Sequence, residues 1–442
     1  MPAPDSSPRP PGSRRWERLG VAGLVVAVLA VGLSLAFTPD DGPAEPGSHR
    51  AVQELLDTWS RAVRTADPAV LATVVDPRAR PGLLDAEVRR AEALAALPLA
   101  DFAYELGPDL GTDVPDDLAA RLGADEARAL TVLLRYAVEG IDDEPTRKPV
   151  TVVLARRGEQ WHLVDDRPLP GAETTTWRGP WDYGPLEVRA VDTGAGSRSL
   201  VVGHPEHSSL VADIAAELAA AVEAVDAVWG TGWPRRALVL VTASHDEFTT
   251  QVGSRYNGAD IAAVAVSDAV DHERGETTGQ RIVFSPAAEQ RLDRAGLRAI
   301  LRHELTHVAA RTDTVDGSPL WILEGYADYV GYRGTGGDLA AIAPTLAAVV
   351  AERGAPTTLP ADADFAGDGA RLAYESAWSI ATFVAEEFGS ERLTALYRRL
   401  AAGPADPREL DAAVGDVLGV DVEQLVDRWR GRLETQVPAP VG

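Results

Sequence analysis

The stretch His303-Glu304-Leu305-Thr306-His307 constrains this chain more than any other. It reads H-E-x-x-H, inside a segment whose apolar residues Leu297, Ile300, Leu301, Leu305, Val308 and Ala309 recur at helical spacing. Four residues advance a helix by little more than one turn, so His303 and His307 project from one face, one above the other. Two imidazoles so placed can grip one Zn²⁺ at about 2.0–2.1 Å each. Glu304 then points at the position the metal keeps open, normally for a water. The chain has 8 His, so a chance match is the competing explanation, but chance does not supply a third ligand.

A third ligand is at hand. Downstream runs Pro319-Leu320-Trp321-Ile322-Leu323-Glu324-Gly325-Tyr326-Ala327-Asp328-Tyr329-Val330. Pro319 suits the first turn of a second helix, with Asp316-Gly317-Ser318 as turn and cap. Catalytic zinc takes three protein ligands, and two His with one Glu is a standard set. Glu324 is the candidate. Asp328, four residues on, shares its face. Metal-bound His usually donates its other ring N–H to a carboxylate, and Asp328 is placed to receive it from His303.

H-E-x-x-H followed by W-x-x-E-G-x-A-x-Y resembles the gluzincin zinc metallopeptidases, the clan of thermolysin and aminopeptidase N, and within it the bacterial peptidase MA-like group. The likeness covers roughly residues 180–435. It implies a zinc peptidase with His303, His307 and Glu324 as metal ligands and Glu304 as the base that activates water. A further segment, Ala373-Tyr374-Glu375-Ser376-Ala377-Trp378, is similar to the Y-x-K-G segment of aminopeptidase N-like enzymes, whose Tyr donates to the oxyanion. That likeness implies the same role for Tyr374, although Ser376-Ala377 stands where the family has Lys-Gly. The alternative for Tyr374 is an aromatic on a buried helix face.

One departure bears on activity. Aminopeptidase N-like enzymes hold the substrate's free amine with a G-x-M-E-N strand. The only Met here is Met1, so that motif is absent and an endopeptidase is expected over an aminopeptidase. In its place two runs, Ile261–Val266 and Gln280–Ser285, read as short strands. The resemblance makes one of them the edge strand that pairs with an extended substrate; pattern does not say which.

Residues 19–37, LGVAGLVVAVLAVGLSLAF, carry no charge. At about 1.5 Å per residue they reach across a hydrocarbon core of about 30 Å. Arg9, Arg14, Arg15 and Arg18 precede them and Asp40, Asp41 and Glu45 follow. This pattern places residues 1–18, a Pro-rich disordered tail, in the cytoplasm, and the remainder outside the cell membrane behind a transmembrane signal anchor. A cleaved signal peptide, giving a secreted protein, is the alternative. Residues 38–49 read as a tether. There is no Cys, so neither disulfide nor thiolate ligand enters. The net charge of −25 argues against nucleic acid.

The remainder suits two α+β units. In residues 50–168, helices (Val52 to Val63, Pro68 to Val75) precede extended segments at 102–106, 128–138 and 150–155. A hairpin to Trp161-His162-Leu163-Val164 turns at Gly158. The layout is similar to the cone-shaped SnoaL-like domains. His162 alternates beside Trp161 and reads as a sheet position. A Pro-rich joint at 167–171 leads to the metallopeptidase part, residues 180–437. Strands at 186–190, 199–202 and 237–241 and a helix at 209–228 form a mixed lobe. Helices at 338–352, 374–388, 390–401, 407–418 and 421–435 form an α-helical lobe. His204-Pro205-Glu206-His207 reads as a solvated loop. Three functions fit: a zinc endopeptidase acting on peptides or proteins, a zinc-binding relative without hydrolysis, or an anchored binding module.

Overall fold

The computed structural model describes residues 46–437, apart from 109, 173–175 and 254–260. The tail 1–18, the apolar stretch 19–37 and residues 38–45 lie outside the described residues. Among the described residues no helix is long and apolar enough to cross a membrane.

Residues 46–49, expected in the tether, belong instead to the first helix, α1 (Pro46–Arg64). Pro46 suits a first turn, and His49 Nε2 pairs with the Gly107 carbonyl at 2.9 Å, which ties that turn down. Then come α2 (Pro68–Val74), capped by the Asp67 carboxylate, and α3 (Leu83–Leu94). Five strands follow: β1 (Leu99–Leu106), β2 (Thr112–Asp113), β3 (Glu126–Val138), β4 (Thr146–Arg157) and β5 (Gln160–Asp165), with α4 (Asp116–Leu122) between β2 and β3. They form an antiparallel sheet in the order β1-β3-β4-β5, with β2 on β3. The β4–β5 hairpin turns at Gly158, whose φ of 63° favours glycine. Trp59 of α1 stacks on Tyr104 of β1 with ring centroids 3.9 Å apart, which seats the helix layer on the sheet.

The second unit opens with β6 (Glu187–Gly194), β7 (Ser197–Gly203), α5 (Ser208–Trp229), β8 (Leu238–Val241) and α6 (His245–Val252). Next are β9 (Ala263–Val266), the small hairpin β10 (Ala269–Asp271) and β11 (Glu276–Thr278), and β12 (Arg281–Phe284). The sheet runs β6-β7-β8-β12-β9, so among the described residues β9 is the edge and the Gln280–Ser285 run is interior. β7, β8 and β12 are parallel; β6 and β9 run against their neighbours. The rest is helical: α7 (Ala288–Arg291), α8 (Arg294–Ala310), α9 (Leu320–Tyr332), α10 (Leu339–Ile342), α11 (Pro344–Arg353), α12 (Ala370–Phe388), α13 (Ser390–Leu400), α14 (Pro407–Leu418) and α15 (Val422–Gln436). The single helix expected over 338–352 is two, because Pro344 cannot continue α10 and opens α11 instead.

Alternation along the strands of this sheet feeds two cores. Val201, Val239, Val241, Ile282 and Phe284 pack against α5, α8 and the C-terminal helices. Leu200, Val202, Leu238, Leu240, Val264 and Val283 face the other way and join Phe102, Tyr136 and Trp181 in one continuous core with the first unit. The first unit therefore covers a sheet face that would otherwise meet water. Charges bridge the Pro-rich joint as well. Arg90 of α3 binds Glu87, Asp166 and Asp182, and Arg178 binds Asp166.

Candidate metal centre

α8 begins where the Asp293 carboxylate accepts from the Gly296 N–H at 2.8 Å, and it runs beneath β9. α9 begins differently from expectation. Pro319 stands at the cap position, and the first N–H, that of Leu320, donates to Asp362 Oδ1 at 2.8 Å instead of to Ser318. Ser318 is committed elsewhere, donating to the Val315 carbonyl at 2.8 Å.

Two glycines let α9 lie close between its neighbours. A Cβ on Gly325 would sit 2.7 Å from the Ala377 carbonyl carbon of α12 and closer still to its oxygen. A Cβ on Gly331 would sit 2.7 Å from the Ala299 oxygen of α8. Both distances are far inside ordinary contact, so only glycine permits this approach. The approach brings Glu324, next to Gly325, up to the two histidines.

The result is a buried cluster of His303, His307 and Glu324. His303 Nε2 and His307 Nε2 are 3.0 Å apart. Glu324 Oε2 lies 3.5 Å from the first and 3.8 Å from the second, too far for hydrogen bonds. Ligand atoms at about 2.0–2.1 Å from one tetrahedral zinc stand about 3.3 Å apart, so the spacing fits the ion. Both oxygens of Glu324 are buried without a hydrogen-bond partner. A carboxylate sealed from water and left unpaired is costly unless a cation is meant to sit beside it. Donor types, spacing and orphaned oxygens agree, and the cluster fits Zn²⁺.

Asp328 stands behind His303. Its Oδ1 accepts from His303 Nδ1–H at 2.8 Å, which turns Nε2 towards the cluster. Burial alone would lower His303, but the Asp328 carboxylate carries its pKa up to about 10. His307 moves the other way, held well below its ordinary value by burial and then by His303 and Arg311.

Glu304 is 0% exposed, and neither carboxylate oxygen has a hydrogen-bond partner. Burial pushes it up to about 7, against the nearby His303 and the Ala265 backbone N–H, which favour its charged form. Glu324 is pushed up to about 8, again by burial. A carboxylate poised near neutrality can both take and return a proton at working pH.

The Ala265 N–H belongs to the edge strand. Ser285 N–H donates to the Ala262 carbonyl, so even-numbered residues of β9 pair inward with β12. The backbone groups of Ala263 and Ala265 then face the open side, beside Glu304.

Tyr374 lies on α12, buried, with its ring edge-on to Phe365 at 5.0 Å between centroids. Two other tyrosines of this lobe are structural. Tyr326 pairs with Thr394 and Tyr397 with Thr314, each at 2.9 Å. His162 lies in β5 as expected, its Nδ1 3.2 Å from the Thr73 carbonyl. The solvated loop expected at His204–His207 is not one. His204 is buried and bonds Glu247 at 3.0 and 3.1 Å, while His207 bonds Glu289 at 2.8 Å. Glu247 is 43 residues away, so nothing local announced the pair.

No protein-family model matches the sequence, and no curated protein matches it significantly. Among solved structures, the chain is similar to an M1 zinc metallopeptidase from Deinococcus radiodurans, with 16% identity and a TM-score of 0.36 over 72% of this chain and 64% of that one. It is also similar to native yeast LTA4 hydrolase, with 13% identity and a TM-score of 0.36 over 72% of this chain and 46% of that one. The chain thus spans less than two thirds of each.

Proposed function

We propose that this protein is a zinc-dependent peptidase, favouring internal peptide bonds, and that residues 19–37 anchor it with the site outside the cell membrane. The observation that carries the reading is the buried cluster of His303, His307 and Glu324, with the unpaired Glu304 carboxylate beside an open strand edge.

A zinc ion held by His303, His307 and Glu324 supplies a Lewis acid and an acidified water. The residues divide the remaining work. Asp328 fixes the tautomer and ring orientation of His303. Glu304 accepts the proton of the attacking water at its carboxylate and later delivers it to the leaving amine. The outward backbone groups of Ala263 and Ala265 pair with an extended peptide and hold its scissile bond over Glu304. The Tyr374 phenol is the candidate donor to the oxyanion. A purely binding protein has no use for a buried, unpaired acid at position 304, which weighs against the non-hydrolytic alternative.

Internal cleavage follows from the missing amine-binding motif. The test is a library of peptides with free or acetylated N-termini, digested by the zinc-loaded protein and read by mass spectrometry. Cuts within acetylated peptides are expected; cleavage confined to free N-terminal residues would make the protein an aminopeptidase. Protease protection of the full chain in intact cells tests the placement outside the membrane.

A further inference from the structure

The end of β9 is fastened from two sides. On one side Arg311, four residues beyond His307 on the chain, donates from Nε to Ser267 Oγ at 3.0 Å. On the other side stands the first unit. Thr146 Oγ1 and Lys148 Nζ, both at the start of β4, donate to the two carboxylate oxygens of Asp268. Thr146 is buried, and the Lys148 ammonium also lies over the Trp177 ring, 5.6 Å from its centroid. The Asp268 backbone N–H donates to the Thr278 carbonyl at 2.9 Å, which fixes the hairpin that follows.

A second tie lies one strand in. Arg281 of β12, opposite Val266 in register, makes a bidentate pair with Asp142 at 2.7 and 2.9 Å. Asp142 in turn accepts from the Val138 N–H at 2.8 Å. These groups come from the β3–β4 connection and the start of β4, far from the metal ligands in sequence. They converge on residues 266–268, directly after the strand whose free edge faces Glu304. Edge strands have one paired neighbour and lose register easily. A strand that must present backbone groups to a substrate within a fraction of an ångström needs its free end held.

From this juxtaposition we infer that the first unit is a clamp on the substrate strand, and that Asp268, with Thr146 and Lys148, is a positioning residue that sets the affinity for extended peptides. The inference rests on the peptidase reading. Asp268 touches neither metal ligand nor Glu304, so loosening it leaves the chemical machinery in place while blurring the register in which a long substrate docks. A short substrate that does not lie along β9 is indifferent to that register.

The test compares the zinc-loaded full-length parent with D268N and with the T146V/K148M pair, on two substrates. One is a quenched-fluorescent peptide long enough to run along β9; the other is a short acyl-amide spanning only the scissile bond. For the long peptide, KM is expected to rise about tenfold or more in both variants, with kcat within about threefold of the parent. For the short substrate both constants stay near the parent's, and zinc content is unchanged. The triple variant should be no worse than D268N, because the three side chains act through one contact. A parental KM for the long peptide in both variants overturns the clamp. So does an equal loss on both substrates, which a general structural defect would give. If the parent itself cleaves neither substrate, the peptidase reading falls and the clamp with it, an outcome distinct from an active parent with indifferent variants.

Discussion

Gly325 offers a test of the packing that builds the site, independent of any metal. Replacing it with Ala places a methyl 2.7 Å from the Ala377 carbonyl carbon and 3.3 Å from its Cα, with the oxygen nearer than either. The obstacle is helix backbone, which cannot rotate away. α9 and α12 must separate by about 1 Å to restore ordinary contact, and overpacking of this kind costs about 1–3 kcal/mol. With about 2.1 cal/mol/K of unfolding entropy per residue, a chain of this length shifts by about 1 °C per kcal/mol, so Tm should fall by about 1–4 °C. Glu324 is the preceding residue, so the same shift carries its carboxylate off the two histidines and weakens zinc binding. The control is Gly431 of α15, where a Cβ meets nothing within 4 Å. There the same substitution adds helix propensity and should stabilise by about 0.5–1 kcal/mol. Differential scanning calorimetry on G325A, G431A and the parent, each metal-free, reads both effects. A parental Tm for G325A, or a loss in G431A matching it, would refute the close-approach argument.

Further outcomes follow from the same structure. Asp328→Asn removes the charge that orients His303 and should weaken zinc affinity about 10–100-fold, read by competition with a chromophoric chelator; unchanged affinity would remove Asp328 from the site. Tyr374→Phe should lower kcat about 10²–10³-fold with little change in KM if its phenol serves the oxyanion, and a parental kcat would return Tyr374 to the buried face of α12. Burial alone would raise Asp166, yet Arg90 and Arg178 hold its carboxyl well below the usual range. Its folded value lies below its unfolded one, so its stabilisation is present above about pH 4 and is lost as pH falls below that. Parent stability in urea should therefore decline from about pH 4 downward, and Asp166→Asn, less stable at neutral pH, should show a shallower decline; parallel curves would contradict the assignment.

The metal centre was legible because its signals are local. H-E-x-x-H needs only helical periodicity to become a pair of ligands, and Glu324 and Asp328 share a face by the same rule. Most strands and helices were legible for the same reason. What the sequence withheld was everything set by distant contact. β9 and β12 are both short apolar runs, and only the sheet order makes β9 the edge. Glu247 claims His204 from 43 residues away, against the appearance of a polar loop. Asp268 meets Thr146 across 122 positions, with no periodicity to join them. The shared core was hidden too, because alternating strands look alike whether their second face meets water or another sheet. α3 escaped notice because its face buries Glu87 and Arg90, a charged pair, beside its leucines.

The central claim is that Glu304 acts as a proton carrier beside a zinc held by His303, His307 and Glu324. Its most direct test measures bound zinc by mass spectrometry and peptide hydrolysis by the same samples of the parent and Glu304→Gln. One zinc per chain in both proteins, with hydrolysis reduced by about 10³-fold or more in the variant, is the predicted result. Full hydrolysis by Glu304→Gln, or a zinc-free parent that remains active, would contradict it.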